Sequence, residues 1–266
     1  MKIRLDKLLL ERGLVSTRER AQALIVAGRV LVDGQKVEKA GTGVAAEAEL
    51  RLLGEELKYV SRGGLKLEKA LEHWGIAARG RVCVDVGAST GGFTDCLLQQ
   101  GAARVIAIDT GYGQMAARLR SDSRVRLLER TNARYLKPED VGEAASLVCV
   151  DVSFISATLV LPAVMRAVSH QPSAARKEPL ELIVLVKPQF EAGKGKVGKG
   201  GIVRDPEVQQ AAVERVRRAV EELGGGGIEV IESPILGAEG NREFLLHARF
   251  GGPGKAGDRV IGSSGH

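Results

Sequence analysis

No run of apolar residues in this 266-residue chain approaches the length that crosses a membrane. The N-terminus, Met1-Lys-Ile-Arg-Leu-Asp6, also lacks the apolar core of a secretory signal. Aromatics are only 3% of the residues. A protein that reads single strands by stacking their bases usually carries more, so any nucleic acid is expected to be held by its backbone and shape. The three cysteines are scattered, without metal or redox spacing, and Cys83 and Cys149 sit inside apolar runs. Buried thiols in a reducing cytoplasm are therefore expected, and no metal site.

What is present is ordinary globular material. Hydrophobic residues make up 44% and charged residues 27%, enough for a sizeable core in one large or two modest domains. The formal charge of +6 permits a polyanionic partner.

The most informative stretch is Asp85-Val-Gly-Ala-Ser-Thr-Gly-Gly-Phe93. An apolar run, Val82 to Val86, enters a loop with three glycines, and a helix-like segment from Phe93 to Gln100 follows. Strand, glycine loop and helix form the nucleotide cradle of α/β proteins. The spacing is not that of a dinucleotide fingerprint, because Ser89 stands where the second glycine belongs. Asp85 would repel a pyrophosphate and suit a cationic amino-acid ligand. S-adenosyl-L-methionine, with an ammonium and a sulfonium and no phosphate, has that character. Gly87, Ala88, Ser89, Gly91, Gly92 and Phe93 are the expected cofactor loop. A second strand, Arg104 to Ile108, ends in Asp109, 22 residues after Gly87. An acid at that distance can bind ribose hydroxyls.

The first forty residues carry nine Lys or Arg against five acids, a net of +4. Leu5, Leu8, Leu9 and Leu14 predict one short amphipathic helix. Thr17 is placed to cap a second, Arg18 to Ala27, which Gly28 stops. Val30 to Val32, Asp33-Gly34 and Lys36-Val37 read as a hairpin. The module carries Arg4, Lys7, Arg12, Arg18, Arg20, Arg29 and Lys36 as candidate RNA contacts. In Arg4-Leu-Asp-Lys7, Gly13-Leu14, Ser16, Arg18, Ala21, Leu24-Ile25, Gly28, Val30, Val32 and Gly34 it resembles the small RNA-binding domain named after ribosomal protein S-four. Asp33 replaces that family's usual Asn.

Residues 1–58 are thus expected to be a basic RNA-binding domain, 59–64 a linker, 65–250 a larger domain, and 251–266 a disordered tail. The larger domain alternates strands (near 82–86, 104–108, 125–128, 147–151, 181–187, 228–234 and 243–249) with helices, clearest at 65–74, 156–168 and 206–223. This predicts an α/β, Rossmann-like, mostly parallel sheet covered on both faces, with the last strand antiparallel. Gly224 to Gly227 reads as a flexible connection.

Four charged residues stand where strands end or begin, or on the first helix of that domain: Lys66, Asp151, Lys187 and Glu243. The carboxyl ends of parallel strands are where such folds place ligands. With these residues the chain resembles the TlyA family, whose members carry the names haemolysin or rRNA 2′-O-methyltransferase, and its larger domain resembles the FtsJ-like methyltransferases. The matching stretches are Tyr59-Val-Ser-Arg-Gly-Gly-Leu-Lys66, Asp85 to Thr94, Asp109 to Gln114, Glu129 to Arg134, Asp151-Val-Ser-Phe-Ile-Ser156, Val186 to Glu191, Gly198 to Val203 and Gly240 to Phe244. The resemblance implies a catalytic tetrad of Lys66, Asp151, Lys187 and Glu243. It also implies cofactor contacts from the glycine loop and Asp109, with Asn132 on the adenine side, and rRNA in ribosomal subunits as partner.

A lysine ammonium, with a pKa of about 10.4 in water, is a poor base at neutral pH. Orientation of the 2′-oxygen by Lys187, with late proton loss, is therefore the expected mechanism. Gly193-Lys-Gly-Lys-Val-Gly-Lys199 imitates a phosphate loop, but Gly200 replaces the required Ser or Thr. Lys194, Lys196, Lys199 and Arg204 read either as a floppy solvated basic loop or as a mobile RNA clamp, and Arg62 is a further candidate RNA contact. A membrane-active haemolysin would need an amphipathic or apolar membrane segment, and none is visible. A non-catalytic ribosome assembly factor would have no use for the intact tetrad.

Overall fold

The computed structural model describes residues 2–15, 17–53, 58–169, 179–193, 195–198, 200–237 and 240–251. The chain divides into two compact units, residues 1–57 and 58–266.

The first unit holds β1 (Lys2–Arg4), α1 (Leu5–Glu11), α2 (Arg18–Val26), β2 (Val30–Val32), β3 (Gln35–Lys36), β4 (Gly43–Ala45) and β5 (Leu50–Leu52). Leu5, Leu8, Leu9, Ala21, Ile25 and Val30 form its core. Thr17 caps α2, its hydroxyl accepting from the Arg20 N–H at 3.1 Å. The β2–β3 turn has both central residues left-handed, Asp33 at φ 49° and Gly34 at φ 75°. That pair matches the right-handed twist of the strands it joins. Leu14 lies outside the helix predicted to include it, because α1 ends at Glu11 and Gly13 turns left-handed at φ 67°.

The second unit contains α3 (Gly63–Trp74), β6 (Val82–Val86), α4 (Gly92–Gln99), β7 (Arg104–Ile108), α5 (Ala117–Arg120), β8 (Val125–Leu128), α6 (Pro138–Val141), β9 (Leu147–Val150) and α7 (Ala157–Ser169). It continues with β10 (Leu180–Val186), α8 (Pro188–Glu191), α9 (Pro206–Glu222), β11 (Gly226–Glu232) and β12 (Phe244–Phe250). The seven strands order as β11-β12-β10-β9-β6-β7-β8. β12 runs antiparallel to both neighbours, and the other pairings are parallel. Alternate residues of the central strands face opposite layers. Val84, Val148 and Val184 pack with α7 and α9 on one side, and Cys83, Cys149 and Ile183 with α3 and α4 on the other. Every residue of β10 is buried, as a strand covered on both faces requires. The chain leaves β6 toward β7 on one side and returns to β9 on the other. Their carboxyl ends therefore flank the switch point where such sheets open a ligand crevice.

Two expectations are corrected. Residues 59–64 do not behave as a linker. Tyr59 is buried, its hydroxyl donates to Glu68 at 2.8 Å, the Val60 N–H donates to the buried Asp95 at 2.8 Å, and α3 already starts at Gly63. Gly224 to Gly227 is no flexible connection either. The Gly225 N–H returns to the Val220 carbonyl at 2.9 Å, and β11 begins at Gly226 through a register shift before Glu229. The tail beyond Gly251 lies outside the described residues.

Candidate active site

The glycine loop is shaped by close approaches. The N–H groups of Gly87 and Ala88 both donate to the Ile108 carbonyl, at 2.8 and 3.1 Å. Gly87 adopts φ 89°, and a Cβ there would lie 2.2 Å from the Asp151 carbonyl oxygen. At Gly92 a Cβ would meet the Ser61 hydroxyl at 2.2 Å and the Gly64 nitrogen at 3.0 Å. Glycine at these two positions lets β6 touch the chain leaving β9, and lets the N-termini of α3 and α4 meet.

Asp85 departs from its expected role. It is fully buried and borders none of the three cavities described below. Its Oδ2 accepts from the Thr94 hydroxyl at 2.6 Å, and its Oδ1 has no hydrogen-bond partner. Burial pushes its pKa up to about 7; the Thr94 bond opposes that shift, and the nearby Asp151 and Asp109 add to it. The residue ties β6 to α4 beneath the loop rather than meeting a ligand directly. A buried strand acid is a plain choice for that internal bond, and sequence alone cannot say which way it points.

Asp109 does reach a cavity. One oxygen accepts from the Ser89 N–H at 2.8 Å and the other from the Gly111 N–H at 2.6 Å, leaving each a lone pair for a further donor. Asp109, Asn132, Thr110 and Gln114 line a space of about 430 Å³ whose apolar walls include Val86, Ile108, Val152 and Val160. The Asn132 side-chain oxygen accepts from the Arg134 N–H at 3.0 Å, which leaves its amide hydrogens available. A second space of about 290 Å³ is bounded by Ser61, Arg62, Lys66, the loop from Gly87 to Thr90, Gly92 and Phe93. Gly91 borders neither; it is left-handed at φ 96° and packs against Leu119.

The four strand-end and helix charges come together as two ion pairs. Lys187 Nζ lies 2.6 Å from Asp151 Oδ1, and Lys66 Nζ donates to Glu243. Both lysine side chains are 11% exposed and Glu243 is 2% exposed. Both lysines face the 290 Å³ space and also a third cavity of about 440 Å³, lined by Phe154, Phe190, Val197, Asn241 and Glu243. The two lysine heads thus stand between the crevice at the glycine loop and a separate chamber. Such heads, neutralised in pairs and partly shielded from water, are held in place at the junction.

Of the stretch Asp151 to Ser156, which carried part of the family resemblance, only Asp151 was singled out as a site residue. Ser153 accepts from Lys187 Nζ at 2.8 Å. Phe154 is left-handed at φ 64°, 93% exposed, and lies 5.4 Å from the Phe190 ring, tilted. The available signal was an aromatic beside a strand-end acid in a chain poor in aromatics.

Among the basic candidates of the first unit, Arg4 and Arg18 converge on Asp6, both at 3.0 Å. Asp6 itself is fully buried. Arg12 donates to the Ala46 carbonyl and to the Ala48 carbonyl at 2.7 Å. Arg29 donates to Leu53 at 2.8 Å. These two brace backbone. Lys7 pairs with Glu11 at 3.6 Å and Lys36 with Glu38 at 3.8 Å, all exposed, while Arg20 is half-buried. In the second unit Arg62, Lys196 and Arg204 are exposed. Lys194 and Lys199 lie outside the described residues. The end of that loop is anchored, because Asn241 donates to the Gly201 carbonyl at 2.9 Å and accepts from the Val203 N–H at 3.0 Å.

Comparison with known proteins agrees with this division. Residues 59–250 match the FtsJ-like methyltransferase family and residues 3–50 the S4 domain. The chain is 47% identical to the 16S/23S rRNA (cytidine-2′-O)-methyltransferase TlyA of Mycobacterium tuberculosis, over 92% of this chain and 89% of that one. It is 39% identical to Hemolysin A of Brachyspira hyodysenteriae, over 92% and 99%. A solved structure from Streptococcus thermophilus, named as a haemolysin, superposes with a TM-score of 0.67 at 41% identity, covering 94% of this chain and 88% of its own. With both domains matched in order and identity at this level across nearly the whole length, the chain belongs to the TlyA family of FtsJ-like methyltransferases.

Proposed function

We propose that the protein is an S-adenosyl-L-methionine-dependent methyltransferase that modifies ribose 2′-hydroxyls of ribosomal RNA. The observation that carries this reading is the position of the two lysine heads, which border both the crevice at the glycine loop and a separate chamber. The relative from M. tuberculosis is named for that reaction.

The residues of the crevice fit the cofactor. Asp109 has lone pairs for ribose hydroxyls, Asn132 has free amide donors, and Val86, Ile108 and Val160 offer an apolar slot for a flat base. The polar pocket at the glycine loop, with Arg62 and the N-termini of α3 and α4, suits an amino-acid end. When bound, the cofactor supplies an electrophilic methyl group on a sulfonium. Lys187 then donates to the acceptor 2′-oxygen and holds it in line, while Asp151 balances the ammonium. As the new C–O bond formed and the S–C bond broke, the hydroxyl proton would leave late, to water, and Lys66, fixed by Glu243, would hold a neighbouring phosphate. Phe154 and Phe190 offer an apolar wall for the acceptor base. The S4 domain, through exposed arginines such as Arg4 and Arg18, grips phosphates.

The haemolysin names of some relatives favour a second reading, membrane activity. Among the described residues no helix is long and apolar enough to cross a membrane. Tritium transfer from S-adenosyl-L-methionine to purified 30S and 50S subunits tests the first reading. Label mapped to a ribose is expected; no label on either subunit or on naked rRNA would sink it. Leakage of dye from liposomes at neutral salt, rising with dose, would support the second.

A further inference from the structure

We propose that Ser153 is a positioning residue that sets the direction of the Lys187 ammonium. The inference rests on the function proposed above and concerns the same site.

An ammonium carries three N–H groups in fixed tetrahedral directions. Once one of them is engaged by an aligned acceptor, rotation about the Cε–Nζ bond is set and the other two have defined directions. Lys187 Nζ has two acceptors within reach, Asp151 Oδ1 at 2.6 Å and Ser153 Oγ at 2.8 Å. They differ in kind. The contact to Asp151 is close, yet Asp151 Oδ1 has no partner with hydrogen-bond alignment. The contact to Ser153 is aligned. Asp151 therefore balances the charge, while Ser153 fixes the rotation about the Cε–Nζ bond. Electrostatic attraction to one carboxylate leaves that rotation free, and a freely turning ammonium presents a donor to the acceptor oxygen only part of the time.

Ser153 is well placed for this. Among the described residues that line the three cavities, it alone lines every one. The other two N–H groups of Lys187 are thus given set directions, at the junction where crevice and chamber meet. The segment that carries Ser153 is also pinned from outside. The Asp151 N–H donates to the Val86 carbonyl at 2.8 Å. Glu191, buried at the end of α8, accepts from the Ser156 hydroxyl at 2.5 Å and from the Ala157 N–H at 2.6 Å. Phe154 leans on Phe190, also of α8. Because α8 directly follows Lys187, the lysine and the serine loop are tied to one another twice, apart from their own bond. A geometry determined this redundantly belongs to a group whose direction matters.

The test compares wild type, Ser153→Ala and Ser153→Thr as full chains. In methyl transfer to ribosomal subunits, Ser153→Ala is expected to lower kcat by about 10- to 100-fold, the loss that a misdirected group produces. The KM for the subunits and the Kd for S-adenosyl-L-methionine should stay within about twofold, as for loss of an interaction made only in the transition state. Ser153→Thr, which keeps the hydroxyl, should restore most of the rate. Independently of activity, the Lys187 ammonium signal in lysine-labelled NMR should broaden in Ser153→Ala and reappear in Ser153→Thr, with the Lys66 signal unmoved. A rate within twofold of wild type in Ser153→Ala would overturn the proposal. So would a loss carried by KM and not rescued by threonine, or an unchanged Lys187 signal. If wild type itself labels no subunit, the function reading fails, and the NMR comparison still decides whether Ser153 orients Lys187.

Discussion

Lys187 and Asp151 meet at 2.6 Å although they leave adjacent strands at different heights. Val184 on β10 is opposite Val150 on β9, so Asp151 emerges directly above its partner strand while Lys187 stands two residues further up. The lysine is long enough to bend back over the crevice, and a shorter side chain there would not reach.

Removing that side chain is expected to stop the reaction and spare cofactor binding. Lys187→Ala should lower single-turnover methyl transfer by at least about 10³-fold, within the range of a lost orienting donor. Calorimetric titration with S-adenosyl-L-methionine should change little, because the 430 Å³ cavity with Asp109 does not include Lys187, and at the edge of the 290 Å³ space the lysine charge is already balanced by Asp151. Lys187→Arg should not rescue, since a planar guanidinium cannot repeat the tetrahedral directions of an ammonium. Transfer that survives Lys187→Ala would remove the lysine from the chemistry.

Asp85 makes a prediction about pH. Burial raises its pKa from 3.8 to about 7 in the folded chain. The folded state then binds more protons than the unfolded state between those values. Stability contributed by Asp85 is present in full below about pH 4 and is lost as pH rises through about 7. Asp85→Asn keeps an acceptor for Thr94 and cannot ionise. Its stability relative to wild type should therefore improve by a few kcal/mol between about pH 4 and pH 8. The buried His247, whose pKa burial lowers, has the opposite sign, favouring the folded state as pH rises toward 6.5. It is common to both proteins and cancels in the difference. Urea unfolding of the two at pH 5 and pH 8 measures the effect; a difference that does not move with pH would show that Asp85 carries no such shift.

The alternation of apolar runs and helical periods was enough to place all seven strands of the large sheet, because the central strands, buried on both faces, read as continuous apolar runs, and the half-buried edge strands β8 and β11 keep shorter apolar stretches. Strand ends, which lie at the ligand edge of a parallel sheet, singled out Asp151, Lys187 and Glu243, while Lys66 stands on α3 and the tetrad as a catalytic set was implied by the family resemblance. β1, β4 and β5, three residues each, are too short for a period to register. The four-residue helices α5, α6 and α8 escaped for the same reason. Asp85 was misread because a sequence gives the face of a strand residue but not whether that face meets a cavity or another helix. Tyr59 was placed in a linker since its neighbours are polar and glycine-rich, while its burial depends on Gly64, whose Cβ would fall 2.3 Å from the Tyr59 ring. Ser153 and Phe154 were invisible as functional groups because their roles come from a lysine and a phenylalanine more than thirty residues away.

In the first unit, Asp6 is the organising charge of the basic face. It accepts from Arg4, from Arg18 at 3.0 Å and from Gln22 at 2.9 Å. The Arg4 bond foremost, then Gln22 and Arg18, hold its carboxyl well below the usual range against the cost of burial. A depressed pKa contributes stability above the unfolded value, about 4, that disappears as pH falls through the folded one. Asp6→Ala should destabilise residues 1–57 by about 2–3 kcal/mol, the cost of stripping a buried charge from its partners, reduced because both arginines are half exposed. It should also weaken rRNA binding, since Arg4 and Arg18 lose their shared anchor. Hydrogen exchange of residues 2–53 in the full chain and a filter-binding titration read the two effects. Unchanged exchange would mean that the cluster is incidental.

Phe154 combines a left-handed backbone with nearly full exposure. Neither favours the folded chain, since φ 64° costs a side-chain-bearing residue about 1 kcal/mol relative to glycine, and an exposed ring gains little from burial. Phe154→Gly should accordingly be at least as stable as wild type, and Phe154→Ala about 1 kcal/mol less stable than Phe154→Gly. Both should raise the KM for ribosomal subunits by about tenfold or more, as for loss of a stacking contact of 1–3 kcal/mol, with cofactor affinity unchanged. Thermal unfolding and steady-state kinetics on the same preparations separate the two effects. A glycine variant that is more stable and equally active would show that the ring has no part in holding the acceptor.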